Sequence, residues 1–198
     1  MKDLHKLPDD LPVPVDDGAC DHLLDSIVPS VALKGVSDTI IDLSSIEGMV
    51  VIFFYPMNGR PDSPPMIGWN DIPGARGCTP QSCSFRDNYS QLEKLGVKLF
   101  GVSSQPLKDQ KEASARLNLP FELLNDSQLE LTRAMNLPTF EYELSTYIKR
   151  ITIISEDGVI KKTFYPVFPP DKNVSDVIEW FEHNNALQPT PKGGAAEL

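Results

Sequence analysis

Apolar and polar positions along the chain fall into two rhythms. Val50-Val51-Ile52-Phe53-Phe54-Tyr55 is β-branched or aromatic throughout and carries no charge, as expected of a strand buried on both faces. Further on, Cys83, Phe85, Tyr89, Leu92 and Leu95 recur two to four positions apart, which predicts an amphipathic helix that opens near Cys78 and is closed by Gly96. A second buried strand is predicted over 97–103, a mostly polar helix over 105–117, a short strand over 121–124 and a helix over 127–135. Ser127 is its expected N-cap and Glu130, three residues on, completes a capping box. Strands alternating with helices imply a parallel sheet with helices on both faces. The pattern then changes. Segments 150–155 and 159–164 flank Glu156-Asp157-Gly158, a hairpin turn, and Val177, Ile178, Trp180 and Phe181 mark a closing amphipathic helix over 175–184. Upstream, Val31-Ala32-Leu33 and Thr39-Ile40-Ile41-Asp42-Leu43 suit a short hairpin.

Three stretches resist this reading. Residues 1–27 are rich in Pro and Asp and read as an extended arm, an unstructured lead-in more than a packed element. Residues 186–198 read as a flexible tail, leaving one folded domain over 28–185. Between Pro56 and Cys78, Pro61, Pro64, Pro65, Gly68, Pro73 and Gly74 exclude regular structure. Met66, Ile67 and Trp69 in this loop are unfavourable in water, so it either packs back on the body or serves as a lid.

A chain of 198 residues, 40% of them hydrophobic, is long enough for one sizeable core. Its formal charge of −10 argues against nucleic acid and anionic membrane surfaces as partners, because both select a basic face. No run approaches the roughly 18 apolar residues of a membrane span, and Met1-Lys2-Asp3-Leu4-His5 lacks the apolar centre of a signal peptide. The expected compartment is the cytoplasm. Three cysteines, an odd number, do not suggest a disulfide scaffold. Cys20, among Asp16, Asp17 and Asp21, is expected to be a spectator, since acidic neighbours disfavour a thiolate.

Cys78 is different. It stands at the predicted helix mouth, where unpartnered backbone N–H groups and the positive end of the helix dipole stabilise an anion. Thr79 offers a cap or first-turn hydroxyl, and Pro80 suits an early helical position because its missing N–H would have no partner there. Cys83 lies five positions on. Along a helix that is about 7.5 Å of rise, beyond the roughly 7 Å Cα–Cα limit for a disulfide. The pair can join only if the first turns unwind.

At these residues the chain resembles the peroxiredoxins, in particular the branch called peroxiredoxin Q or bacterioferritin comigratory protein. The likeness runs through Phe53-Phe54-Tyr55-Pro56, Gly77-Cys78-Thr79 with Cys83, and Phe85-Arg86-Asp87-Asn88-Tyr89. It continues through Leu95-Gly96-Val97, Leu119-Pro120-Phe121 and Lys149-Arg150 before Ile151-Thr152-Ile153. The resemblance implies an α/β thioredoxin-like fold, a central mixed sheet flanked by helices with an N-terminal hairpin extension. It implies a thiol peroxidase for hydrogen peroxide and organic hydroperoxides, with Cys78 as the peroxidatic sulfur and Cys83 as the resolving one. The Cys78–Cys83 disulfide would be reduced by thioredoxin or a glutaredoxin, in a monomer or a homodimer. Arg150, at the strand entrance, would stabilise the thiolate and polarise the peroxide. No metal or organic cofactor is needed, since the sulfur does the redox work. Arg76 could add to the positive field, whereas Arg86 beside Asp87 is expected to be structural. Two departures stand out. The family pattern is Pro-x-x-x-Thr-x-x-Cys, but 57–77 is much longer here and Ala75 occupies the Thr register, so Thr79 or a backbone group would have to replace that hydroxyl.

The alternatives are a thioredoxin-like disulfide oxidoreductase, which wants C-x-x-C and a Pro where Lys149-Arg150 stands, and a non-catalytic thioredoxin-fold redox-sensing or binding module. A zinc site would need about four ligands, and His5, His22 and His183 lie far from the cysteine pair.

Overall fold

The computed structural model describes residues 4, 6–63 and 66–185; the expected tail, 186–198, lies outside them. In chain order the strands are β1 (Ala32–Gly35), β2 (Ile40–Asp42), β3 (Met49–Phe54), β4 (Lys98–Ser103), β5 (Glu122–Asn125), β6 (Thr139–Tyr142), β7 (Ser145–Ile148), β8 (Ile151–Glu156) and β9 (Val159–Phe164). The helices are α1 (Cys78–Asp87), α2 (Tyr89–Lys94), α3 (Leu107–Leu117), α4 (Glu130–Ala134) and α5 (Asn173–Asn185). Seven strands form one sheet in the order β2-β1-β5-β4-β3-β8-β9, and β6 pairs with β7 apart from it. β3, β4 and β5 are parallel, while every further pairing, β3–β8 and β8–β9 on one side and β5–β1 and β1–β2 on the other, is antiparallel. This is the expected mixed sheet with its N-terminal hairpin.

The unbroken apolar run of β3 has a simple cause: both of its faces are covered. Val50, Ile52 and Phe54 join Leu23, Val28, Leu131, Met135 and Ile148 in one core. Val51, Phe53 and Tyr55 join Phe85, Leu92, Val177 and Phe181 in the other, under α1, α2 and α5. Phe53 stacks on Phe85 at 4.7 Å and meets Phe121 edge-on at 5.7 Å. The contact has no room for a side chain on β4, where a Cβ at Gly101 would lie 2.6 Å from Phe53 and 2.7 Å from Leu123. Phe53 and Phe85 thereby seat α1 against β3, and the start of α1 near the end of that strand.

Several expectations need correction. The helix after Cys78 is two helices, interrupted at Asn88, whose side chain donates to the Ser84 carbonyl at 2.8 Å. The Ser127–Glu130 capping box is absent. Asp126 caps α4 instead, accepting from the Leu131 and Thr132 amides (3.2 and 2.9 Å) and the Thr132 hydroxyl (2.6 Å), while the Ser127 hydroxyl donates to Asn125. A buried carboxylate supplying three acceptor contacts outcompetes an exposed serine. The β6–β7 hairpin had no sequence signal, since its turn is Glu143-Leu144, with Glu143 at φ 53° rather than a Gly or Asn. The unstructured lead-in is also wrong for the described part of the arm. Cys20 and Leu23 are core residues, the Asp25 amide donates to the Ile160 carbonyl and the Ser26 carbonyl accepts from the Ile160 amide at 2.9 Å each, and Lys149 pairs with Asp17 at 3.0 Å.

Hydrogen bonds from Lys149 and Tyr165 hold the Asp17 carboxyl down at about 2, against an ordinary 3.8. The clasp is therefore complete above the ordinary value and is lost as pH falls from there through about 2. Asp17→Asn is expected to speed limited proteolysis of the arm several-fold at neutral pH; an unchanged digestion pattern would mean that other contacts hold it. Phe53→Ala, which empties the centre of the second core, is expected to cost ~3–5 kcal/mol in chemical denaturation, and a loss below ~1 kcal/mol would contradict the packing described.

Candidate active site

The sulfur of Cys78 lies at the first residue of α1, preceded by Gly77 at φ 109°. A side chain at Gly77 would be strained there, and its Cβ would stand 2.3 Å from Pro170 and 2.9 Å from Leu7. The arm and the turn before α5 thus close directly over the helix mouth, and only glycine admits both. Cys78 is 2% exposed.

Arg150 immediately precedes β8 and turns its guanidinium into the same place. Nη2 donates to Cys78 Sγ at 3.2 Å and reaches the carbonyls of Gly74, Ala75 and Arg76 at 3.2, 3.3 and 3.2 Å. Nη1 donates to Gln81 Oε1. Gln81 in turn donates to Asn173 Oδ1 at 2.9 Å, which also accepts from the Thr152 hydroxyl at 2.7 Å. All four of these side chains are buried. The Met57 amide donates to the sulfur at 3.4 Å, and the thiol is 3.7 Å from the Ala75 carbonyl. The residue at the Thr register thus brings the sulfur a backbone acceptor and no hydroxyl donor. A sulfur with a guanidinium and an amide directed at it is equipped to carry negative charge.

The other expected residues are distributed unevenly. Thr79 is buried beside Cys78, but its hydroxyl has no hydrogen-bond partner among the described residues. Cys83 lies on α1 too, buried and not in a disulfide. Burial pushes its thiol up, and the adjacent Arg86 guanidinium draws it back. Arg86 also bonds its neighbour Asp87 on α1 and ties the helix to the body through the Leu117 carbonyl, at 2.8 Å each. Arg76 donates to the Lys6 carbonyl at 3.3 Å. Cys20 is in the opposite core, its thiol pushed up to about 12 by burial and by Asp17 and Asp16.

The long loop forms a wall of the site. Trp69 packs on Phe140, Tyr142 and Tyr147 at 5.7, 5.2 and 5.0 Å, and the Tyr142 hydroxyl donates to the Ile67 carbonyl at 2.7 Å. The unforeseen β6–β7 hairpin is the platform that holds the loop. Ile67 itself is 92% exposed. A cavity of about 520 Å³ opens over Cys78, Gly77 and Thr79, lined also by Met57, Met66, Trp69, Gln105 and Asp109. Gln81, Asn173 and the Met57 amide escaped sequence reasoning. Of these only Gln81 left a trace, one helical turn after Cys78 on the same face.

A family model described as Redoxin matches residues 24–178. Peroxiredoxin Q, chloroplastic, of Oryza sativa subsp. japonica is 27% identical over 156 residues, covering 78% of this chain. The chain spans 64% of the length of that relative and of its Triticum aestivum counterpart. A putative peroxiredoxin bcp of Coxiella burnetii is 29% identical over 143 residues, covering 70% of this chain and 84% of that protein. Among solved structures, peroxidoxin BcpB from Mycobacterium tuberculosis superposes with a TM-score of 0.65 at 20% identity over 84% of this chain and 98% of its own. The Xanthomonas campestris bacterioferritin comigratory protein does so with 0.63 at 20% identity, over 88% and 99%. These two structures share the fold.

Gly77→Ala forces an L-residue into left-handed backbone against Pro170 and Leu7. The expected cost is about 2 kcal/mol or more, together with several-fold faster alkylation of Cys78 by iodoacetamide as the helix mouth loosens. Wild-type stability and alkylation in this variant would contradict the close approach.

Proposed function

Since the chain belongs to the Redoxin family, we propose that it is a thiol-dependent peroxidase acting on hydrogen peroxide and organic hydroperoxides, with Cys78 as the attacking sulfur. The contact of the Arg150 guanidinium with Cys78 Sγ, at 3.2 Å across 72 residues of chain, carries the reading. A buried cation directed at a cysteine at a helix mouth favours the thiolate, the form that acts as a nucleophile.

In the first step the thiolate attacks the terminal peroxide oxygen. The S–O bond forms as the O–O bond breaks, and the departing hydroxide or alkoxide takes a proton from solvent, leaving a sulfenic acid on Cys78. The Arg150 fork and the first-turn amides of α1 stabilise the charge that develops on the leaving oxygen. In the second step α1 unwinds, and the Cys83 thiol attacks the sulfenic sulfur. An S–S bond forms and water leaves. An external dithiol, thioredoxin or glutaredoxin, then reduces the disulfide by exchange. Both steps use one chain, so a monomer and a homodimer serve equally, and a cytoplasmic setting keeps the thiols reduced between turnovers. Among the described residues no helix is long and apolar enough to cross a membrane.

Mass spectrometry after one equivalent of peroxide is expected to find a Cys78–Cys83 disulfide in the wild type, none in Cys78→Ser, and in Cys83→Ser a sulfenic acid on Cys78 that dimedone captures. A wild type whose thiols ignore peroxide would end the peroxidase reading. Normal cycling of Cys83→Ser with thioredoxin would remove Cys83 as the resolving residue.

A further inference from the structure

Around Cys78 several buried polar atoms lack partners, which asks for an explanation because buried donors are nearly always satisfied in folded proteins. The Tyr55 hydroxyl, Asn58 Nδ2 and the Thr79 hydroxyl have no hydrogen-bond partner among the described residues. Asn58 and Thr79 line the same cavity as the sulfur. Burial pushes the Tyr55 phenol up, Cys78 adds to this, and the Asn58 carboxamide pulls the other way. Tyr55, Asn58 and Cys78 thus interact electrostatically, although neither the Tyr55 hydroxyl nor Asn58 Nδ2 makes an aligned hydrogen bond.

Asn58 is also the most firmly held of the three. It follows Met57, whose amide touches the sulfur at 3.4 Å. Its own amide donates to Gln105 Oε1 and its carbonyl accepts from Gln105 Nε2, at 3.0 Å each. Its Oδ1 accepts from the Ser82 hydroxyl at 3.4 Å, which leaves the Nδ2 donors as the unspent end of the side chain. Gln105 is fixed in turn: its amide donates to Ser103 Oγ at 3.1 Å, and its carbonyl accepts from Gln110 and Asn125 at 2.9 and 2.7 Å. Ser103 Oγ donates to the Pro56 carbonyl at 2.8 Å, so the network also grips the chain at the start of the loop. A donor pre-positioned in this way spends little free energy on reorganisation when charge develops beside it.

We propose that Asn58 is a catalytic residue of the peroxidase, its carboxamide N–H donating to the peroxide and taking the place of the hydroxyl that Ala75 lacks. The proposal rests on the peroxidase reading above. The peroxide enters the cavity over Cys78 with its terminal oxygen toward the sulfur. Asn58 Nδ2–H and the Arg150 fork hold the oxygen that departs, keeping the O–O bond in line with the attacking thiolate. The S–O bond forms, the O–O bond breaks, and the alkoxide or hydroxide leaves with a solvent proton.

The test compares two reactions of the same sulfur, followed by peptide mapping of Cys78. Oxidation by hydrogen peroxide needs the cradle, whereas alkylation by iodoacetamide needs only the thiolate and access. In Asn58→Ala, which keeps both backbone bonds to Gln105, the second-order rate with peroxide is expected to fall ~10²-fold while alkylation changes by no more than about twofold. Asn58→Asp retains the shape and the acceptor for Ser82 but has no Nδ2 donor, and the ratio of its peroxide rate to its alkylation rate should fall as well. An unchanged peroxide rate in Asn58→Ala, a parallel fall of both rates, or a wild-type ratio in Asn58→Asp would overturn the assignment. A wild type that is itself inert to peroxide would instead overturn the peroxidase reading.

Discussion

A guanidinium that is 3% exposed has to find partners within the protein, because a buried charge left without hydrogen bonds costs several kcal/mol. Arg150 finds them in the end of a long loop and the first turn of a helix. It gathers the Gly74, Ala75 and Arg76 carbonyls, the Gln81 carboxamide and the Cys78 sulfur around one fork. Three segments that have no reason to meet on their own are thus pinned together, and through Gln81 and Asn173 the start of α5 joins them. The position of the sulfur follows from the solvation of the arginine. The site is as rigid as the demand of that charge for neighbours.

The same network sets the terms on which the site can change shape. A ten-residue helix such as α1 is marginal in isolation, so tertiary contacts hold it. Some are those of Gln81, and others are the Ser84 hydroxyl donating to the Asp171 carbonyl at 2.7 Å and the packing of Pro170 against Gly77. In the proposed cycle these must be released for Cys83 to reach Cys78. Burial holds the Cys83 thiol up while Arg86 draws it back. Unwinding would expose this group to solvent and so ease its ionisation, which ties the nucleophilicity of the second sulfur to the conformational change that delivers it.

The loop over 57–77 adds what the thioredoxin-like sheet lacks, a wall. Anchored by Trp69 on the aromatic face of β6 and β7, it helps enclose the helix mouth in a cavity. The Gln105–Ser103–Pro56 hydrogen bonds fix where the loop leaves the sheet, and Arg60 bonds Asp62 and Asp109 at 2.7 and 3.1 Å near the cavity. The chain thus supports an irregular segment from both ends and its middle with side-chain contacts in place of backbone ladders.

The parts whose causes are local could be read from the residues alone. Periodicity placed β3, β4, β5, the β8–β9 hairpin and α5, because burial on one or both faces leaves its mark residue by residue. The mouth of a helix at Cys78 and a cation at the entrance of β8 were legible for the same reason. Tertiary structure alone decided what those groups touch: that Gln81 and three loop carbonyls share Arg150, that Asp126 and not Ser127 caps α4, that the arm is clasped to the body, and that a hairpin without turn residues supports Trp69. Each joins groups that are unremarkable in their own neighbourhoods, and most join groups tens of residues apart; the Arg150–Ala75 contact spans 75 positions. A buried charge or a stray acceptor imprints no period on the chain around it. Its partners follow from whichever polar atoms the packed sheet and helices leave within reach.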